Sequence, residues 1–252
     1  FAPFHRKRHP RELGAAEVEA FLSYLAVTRR VPASTQNQAK AAFLFLYKEA
    51  LGVELPWLDE IVQARATRRL PVVLTTREVK ALLDELDGTM WLVASLLYGT
   101  GMRLLEGLRL RVKDVEFARR EIIVREGKGS KDRVTVLPEN LVLPLRDQLA
   151  KAKRLHDADL GEEFGEVELP HALEIKYPKA GRQWGWQYVF PSPSRSADPR
   201  TGVIRRHHLY EQNVQRAVKG AADRAGITKP HGRRHSFATH LLQTVPDLRA
   251  VQ

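Results

Sequence analysis

Four residues of this chain have the types and order to act together on a phosphodiester: Arg103, Lys128, His231 and Arg234. Cleaving that bond without a metal passes through a pentavalent phosphorus. Negative charge gathers there on the non-bridging oxygens, and planar guanidinium forks neutralise it. A lysine on a turn can protonate the leaving oxygen, and a histidine can carry the proton of the nucleophile. Arg234 makes the electrostatic point most sharply. Read as a helix from His231, the stretch P-H-G-R-R-H-S-F-A-T-H-L-L (Pro230 to Leu242) sets Phe237, Ala238, Leu241 and Leu242 on one arc. Arg234 falls inside that arc with His231 one turn back on the same side. A half-buried guanidinium cannot discharge and therefore needs an anion, either a protein carboxylate or a bound phosphate.

Residue types alone leave plainer alternatives open. Arg103 with Glu106 fits a surface ion pair worth under ~1 kcal/mol, and Lys128 fits a solvated turn. His231, His235 and His240 fit structural roles, and His231 with His235 at i, i+4 has the spacing of a zinc pair. No Glu follows His231 as in a zinc-protease helix and no third ligand is evident, so no metal is assigned.

The elements that must position these groups are mostly helical. Gly14 to Arg30 carries Val18, Phe21, Leu22 and Leu25 at helical spacing, and Pro32 stops it. Ser34 caps a second helix to about Leu51, with Gly52 at its end and Ala42, Phe43, Leu46 and Leu51 on its face. Pro56, Trp57 and Leu58 open a short further helix. Arg65 to Pro71 is basic and non-periodic, and reads as a linker. Thr75 with Glu78 forms a capping box for a helix carrying Val79, Leu82, Leu83 and Leu86, which Gly88 ends. Met90 to Tyr98 is a buried helix. Gly99 to Val112 sets Leu105, Leu108 and Val112 on one face, with Arg103 and Glu106 adjacent on another. Val115 to Phe117, Glu121 to Val124 and Val134 to Leu137 are short strands, the last two joined by the basic turn R-E-G-K-G-S-K-D-R (Arg125 to Arg133). Leu141 to Leu155 is helical, Gly161 to Pro193 is Pro-punctuated and aromatic, and Tyr210 to Ala225 is a helix closed by Gly226.

Composition narrows the partners. The chain has 252 residues, with 41 Lys and Arg against 30 Asp and Glu, for a formal charge of +11. Such an excess favours a polyanion, nucleic acid first. The absence of cysteine excludes a disulfide framework and thiolate metal sites. No apolar run approaches the roughly 18 residues of a membrane span, and no signal peptide is visible. The expected setting is the bacterial cytoplasm, in association with the nucleoid.

The ordered boxes T-G-M-R-L-L-E-G-L, G-K-G-S-K-D-R and H-x-x-R-H-S-F-A-T-H-L-L resemble the tyrosine recombinase, or phage integrase, family. The resemblance implies an α+β, mainly helical protein. It would comprise an N-terminal helical, SAM-like core-binding domain (1–64), a basic linker (65–72) and a catalytic domain (73–252) with a small antiparallel sheet. Arg103 then corresponds to the first catalytic arginine, Glu106 to its orienting carboxylate, Lys128 to the general acid, and His231 and Arg234 to the later histidine and arginine. His235 falls behind them, holding the helix or the arginine. Lys131, Arg133, Arg65, Arg68 and Arg69 are expected DNA contacts. Within the family the chain most resembles integron integrases, because of the insertion L-P-H-A-L-E-I-K-Y-P-K-A-G-R-Q-W-G-W-Q-Y-V-F-P-S within about 161–193. By default Trp184 and Trp186 pack a core or loop. The resemblance offers them, with His207 and His208, as a platform for unpaired bases of folded single-stranded sites. It further implies DNA partners, duplex and folded, a homo-tetramer on DNA, no cofactor and no membrane.

Two departures bear on activity. The family requires a further His or Trp and a nucleophilic Tyr downstream of Arg234. Tyr24, Tyr47, Tyr98, Tyr177, Tyr188 and Tyr210 all precede His231. With Phe1 at its start, the chain is expected to be a partial sequence that binds DNA without cleaving it. K-P-H-G-R-R-H also shortens the usual approach from Lys229 to His231 and sets Arg233 where an apolar residue is normal. The alternatives are a phage or Xer-type recombinase or a type IB topoisomerase, and a DNA-binding remnant without catalysis.

Overall fold

The computed structural model describes residues 3–53, 73–125, 132–170, 173–198 and 201–228. The chain divides into two units, Phe1–Leu70 and Pro71–Gln252. Arg65, Arg68, Arg69, Lys128, Lys131, His231, Arg234, His235 and the short helix expected at Pro56 lie outside the described residues.

In the first unit, α1 (Ala15–Ser23) runs on through a π-type stretch at Tyr24–Thr28, and α2 (Ala33–Leu44) through another at Phe45–Ala50. The cap expected from Ser34 is absent: Pro32 takes the N-cap position, and its lack of an N–H costs nothing at a helix start. The helices meet over Val18, Phe43 and Tyr47, with Phe21 edge-on to Phe43 at 5.9 Å. Tyr47 replaces the expected Ala42, which is exposed. Its ring is buried and its hydroxyl donates to the carbonyls of Pro10 and Leu13, each at 2.9 Å, so the N-terminal turn is fastened to α2.

The second unit is built on α4. Here α3 (Thr76–Asp84) begins at the expected capping box, with the Glu78 N–H on Thr75 Oγ1 at 3.2 Å and the Thr75 N–H on Glu78 Oε2 at 2.8 Å. Gly88 does not end α3. It is the first residue of α4 (Gly88–Thr100), which is apolar on all sides and therefore buried on all sides. Helix α4 packs against α3, α5 (Leu104–Leu108), α6 (Val142–Gly161) and α8 (Glu211–Arg224). Val214, Val218, Ala221 and Ala222 give α8 its buried stripe. Between α5 and α6 lies a sheet of β1 (Val115–Glu116), β2 (Glu121–Val124) and β3 (Arg133–Val136), in that order and antiparallel. Val124 pairs with Arg133 and Ile122 with Thr135.

Two expectations about helices are corrected. Gly99 to Val112 is one turn and a half of helix, not a continuous face: Leu105 is exposed, and α5 ends in a turn at Arg109. Helix α6 runs beyond Leu155 to Gly161. Its buried stripe is Leu145, Gln148, Ala152, His156 and Asp159, spaced 3, 4, 4 and 3. The last two turns bury polar residues and so escape a search for apolar periodicity.

The insertion follows α6: a short helix α7 (Leu173–Lys176), 3-10 turns at Ala180–Arg182 and Trp184–Trp186, and a ribbon of β4 (Ser196–Ala197) with β5 (Ile204–Arg205). Val189 and Phe190 join it to the main core, and ion pairs with the residues that follow add to that packing. Buried Arg205 reaches Glu166 at 3.1 Å and Glu174 at 2.6 Å, and Arg206 Nη2 reaches the buried Asp159 at 2.8 Å. Among the described residues no helix is long and apolar enough to cross a membrane.

Gly107 lets α5 lie close to α4, since a Cβ there would stand 2.7 Å from Leu97 Cδ2 in the core. Gly107→Ala is therefore expected to destabilise the second unit by about 1–3 kcal/mol. Urea unfolding should show a lower midpoint at constant m-value, and an unchanged midpoint would disprove the close approach.

Candidate active site

Arg103 is placed by the stop of one helix and the start of the next. Gly101 adopts φ +66°, a left-handed conformation that ends α4, and Arg103 takes the extended N-cap position of α5. Its backbone N–H donates to Glu106 Oε2 at 2.7 Å, and its Nη1 donates to Glu106 Oε1. The expected neighbour relation of Arg103 and Glu106 therefore holds through a cap rather than a helix face.

Glu106 has a second partner that local spacing does not predict. Arg133 grips the same carboxylate with both terminal nitrogens, Nη2 to Oε2 at 2.7 Å and Nη1 to Oε1 at 3.2 Å. Strand alternation explains the approach. Val134 and Val136 point outward and are exposed, so Arg133 and Thr135 point inward. The Thr135 hydroxyl donates to the Thr100 carbonyl at 3.0 Å and sets β3 against the end of α4. Glu106 is 8% exposed, against 33% for Arg103 and 35% for Arg133. Burial alone would raise its pKa, but hydrogen bonds from Arg133 and from the backbone and side chain of Arg103 outweigh it and hold the carboxylate at about 2. Among the described residues, Arg103 makes no hydrogen bond through Nε or Nη2.

Beyond α5 the chain turns at Arg109, is extended at Arg111 and closes into a 3-10 turn over Val112–Asp114. Leu108, the last residue of α5, and Leu110 are buried, Arg109 and Lys113 are exposed and Arg111 is half-buried. This segment pairs with the insertion: the Val112 N–H donates to the Gln187 carbonyl at 3.0 Å and the Val189 N–H to the Leu110 carbonyl at 2.9 Å. Arg111 then threads into the insertion. It donates to the carbonyls of Trp186 at 2.7 Å and Glu168 at 2.8 Å and to the Tyr188 hydroxyl at 3.2 Å, with its guanidinium 4.1 Å from the centre of the Tyr188 ring. Burial lowers the Arg111 pKa and raises that of Tyr188. Lys113 Nζ lies 3.0 Å from the centre of the Trp186 ring, over one face, and burial lowers its pKa as well.

A cavity of about 670 Å³ joins these groups. Arg103 and Glu106 line it from α5, Arg109, Arg111 and Lys113 from the segment that follows, and Trp186, Tyr188, His207 and His208 from the insertion and the segment after it. Five expected residues, Arg103, Glu106, Trp186, His207 and His208, thus share one cavity, and Arg133 is joined to it through its bonds to Glu106. His208 packs edge-on to Tyr188 at 5.5 Å and donates from Nδ1 to the Leu209 carbonyl at 2.9 Å. That bond fixes the proton on Nδ1, and burial lowers the ring's pKa, so Nε2 is an acceptor. Trp184 stands apart, stacked 5.9 Å from His156 of α6 and not lining the cavity. Arg111, Lys113 and Tyr188 are site residues that the sequence does not single out, because a helical period imposed after Arg103 scatters them. For Arg111 the signal was its place among the apolar residues Leu108, Leu110 and Val112; for Lys113 and Tyr188 no local signal exists. Among the described residues no group of His, Asp and Glu has the arrangement to hold a metal.

Residues 72–252 match the model of the phage integrase family, and residues 1–57 match that of the phage integrase N-terminal SAM-like domain. The chain belongs to the phage integrase family, the tyrosine recombinases, and its class of function is site-specific DNA recombination. An integrase/recombinase of Escherichia coli is 56% identical over 255 residues, covering 100% of this chain and 76% of its own length. Tyrosine recombinase XerA of Thermococcus kodakarensis is 33% identical over 198 residues, covering 77% of this chain and 57% of its own. Among solved structures, the XerH site-specific recombinase bound to its difH substrate before cleavage superposes with a TM-score of 0.61 at 19% identity, over 98% of this chain and 64% of that one. At that identity the likeness is one of fold. The fold expected from the sequence, a helical SAM-like domain followed by a mainly helical catalytic domain with a small antiparallel sheet, is the one found.

A carboxylate held at about 2 stays charged across the physiological range. Its folded-state pKa lies below the unfolded value, so its contribution to stability is present above about pH 4.5 and is lost as pH falls through about 2. Carbon-13 NMR of Glu106 should show titration near pH 2. A midpoint near the ordinary carboxylate value would mean that the two arginine bonds are open in solution.

Proposed function

We propose that the parent activity of this chain is recombination of integron-type sites, duplex and folded single-stranded, by a homo-tetramer assembled on DNA without a cofactor, and that residues 1–252 by themselves bind DNA without cleaving it. The observation that carries the proposal is the single cavity in which Arg103 meets Trp186, His207 and His208. A recombinase that recognises unpaired bases needs the base-binding groups within a few nucleotides of the scissile phosphate, and such a cavity supplies that proximity.

In this assignment Arg103 presents Nε and Nη2 to the non-bridging oxygens, with Arg234 as the second guanidinium. A tyrosine oxygen attacks phosphorus, the bond from phosphorus to the 5′ oxygen breaks, and a 3′-phosphotyrosyl bond forms. The tyrosine proton leaves through His231, and Lys128 delivers a proton to the departing 5′ oxygen. His235 braces this helix from behind, and Lys131, Arg65, Arg68 and Arg69 contact the backbone of DNA. The nucleophile is assigned to none of the tyrosines within residues 1–252. Tyr47 and Tyr188 are buried with their hydroxyls hydrogen-bonded, which supports that assignment.

Trp186 is the base platform in this proposal and Trp184 its support. Lys113 occupies one face of Trp186, so a base stacks on the other, and the ammonium adds a cation close to that nucleotide's phosphate.

Binding to either DNA form should fall steeply and log-linearly with salt as counterions are released. Trp186→Ala should weaken binding to a folded hairpin site about tenfold more than binding to a fully paired duplex, within the ~1–3 kcal/mol of one base stack. Equal losses on the two substrates, measured by fluorescence anisotropy at fixed salt, would remove the base-recognition role. A wild-type preference for duplex would favour a Xer-type site instead.

A further inference from the structure

Arg133 carries more than a DNA contact. It is one of two guanidiniums on a single nearly buried carboxylate, and the division of hydrogen bonds between them is unequal. Arg133 spends both terminal nitrogens on Glu106, whereas Arg103 spends Nη1 and its backbone N–H. Among the described residues Arg103 therefore keeps the Nε and Nη2 edge, the two-donor fork that fits two oxygens of a phosphate. Without Arg133, a carboxylate that is 8% exposed would lack two of its donors, and the guanidinium already in contact with it, that of Arg103, has this edge with which to replace them. Glu106 and a bound phosphate would then compete for one fork. The charge balance points the same way. Two guanidiniums and one carboxylate sum to +1, and removing Arg133 brings the cluster to zero.

The other foot of the turn between β2 and β3 is fixed in a parallel manner. Arg125 Nε donates to the buried Asp114 at 2.7 Å, so both arginines flanking the turn bind carboxylates from the Arg103–Asp114 segment.

We propose that Arg133 is a positioning residue for recombination: by saturating Glu106 it frees the Nε and Nη2 edge of Arg103 for the scissile phosphate. This rests on the assignment of Arg103 to that phosphate, and the test separates the two. The probe is the recombination-site duplex with either a natural linkage or one uncharged methylphosphonate at the scissile position, and equilibrium binding is read by anisotropy. Wild type should bind the neutral duplex about tenfold more weakly, the scale of one charged hydrogen-bonded contact. Arg133→Gln should bind the natural duplex about tenfold more weakly than wild type, bind the neutral duplex within twofold of it, and discriminate between the two by less than twofold. Adding Arg133→Gln to Arg103→Gln should cost nothing further.

If wild type does not discriminate, Arg103 does not hold the phosphate, and the present proposal falls with it. If wild type discriminates and Arg133→Gln still does so, Arg103 keeps its role and Arg133 is not its positioner. A loss by Arg133→Gln on both duplexes, with a salt slope lower by about one on the neutral duplex, makes Arg133 a backbone contact in its own right and overturns the proposal. Thermal melting checks that the variant is folded. Arg133→Met, which keeps the aliphatic stem over β3, replaces it if Arg133→Gln does not fold.

Discussion

One buried carboxylate holds the catalytic region together. Glu106 is nearly inaccessible, and an ion so placed is tolerable only when donors replace the water it has lost. It finds four such donations: two from Arg133, one from the Arg103 side chain and one from the Arg103 backbone. They come in two pairs, each from a different feature of the fold. The left-handed Gly101 stops α4 where Arg103 can cap α5, and the alternation of β3 turns Arg133 inward while Val134 and Val136 face out. The small sheet is consequently more than a decoration on a helical protein. It brings a guanidinium to a carboxylate that a helix alone would have left half satisfied.

The insertion depends on the same segment from the other direction. Leu108 at the end of α5 and Leu110 just beyond it are buried in the core, and Arg111 reaches into the insertion. The insertion buries Val189 and Phe190 in that core and is further bound by Arg205 to Glu166 and Glu174, by Arg206 to Asp159, and by Arg111 to main-chain oxygens. A segment so fixed is oriented by charge geometry, and the cavity with Trp186, Tyr188, His207 and His208 on one side and Arg103 on the other results from that orientation.

Much of this is legible in the residues. The capping box at Thr75, the all-apolar α4, the three strands and the amphipathic α8 come from local chemistry, because each satisfies its own backbone or presents one uniform face. The pairing of Arg103 with Glu106 is legible for the same reason, the two being three residues apart. Contacts between residues far apart in sequence are not legible. Arg133 on Glu106, Arg111 on Trp186 and Asp159 under Arg206 link positions 27, 75 and 47 residues apart, and no local periodicity encodes them. The end of α6 is hidden because its buried residues are polar. The segment after Arg103 misleads because its apolar spacing continues past Leu108, where the helix ends in a turn before the 3-10 turn at Val112–Asp114.

The grip of Arg111 is on main-chain carbonyls of Trp186 and Glu168, and those oxygens are present whatever side chain stands there. At position 186 the insertion is thus moored through a peptide group, so that bond does not depend on which side chain stands there. Position 188 differs, because Arg111 also bonds the Tyr188 hydroxyl and lies over its ring. The wall of the cavity can therefore change at 186 while its anchor to the core stays in place, whereas a change at 188 touches wall and anchor together.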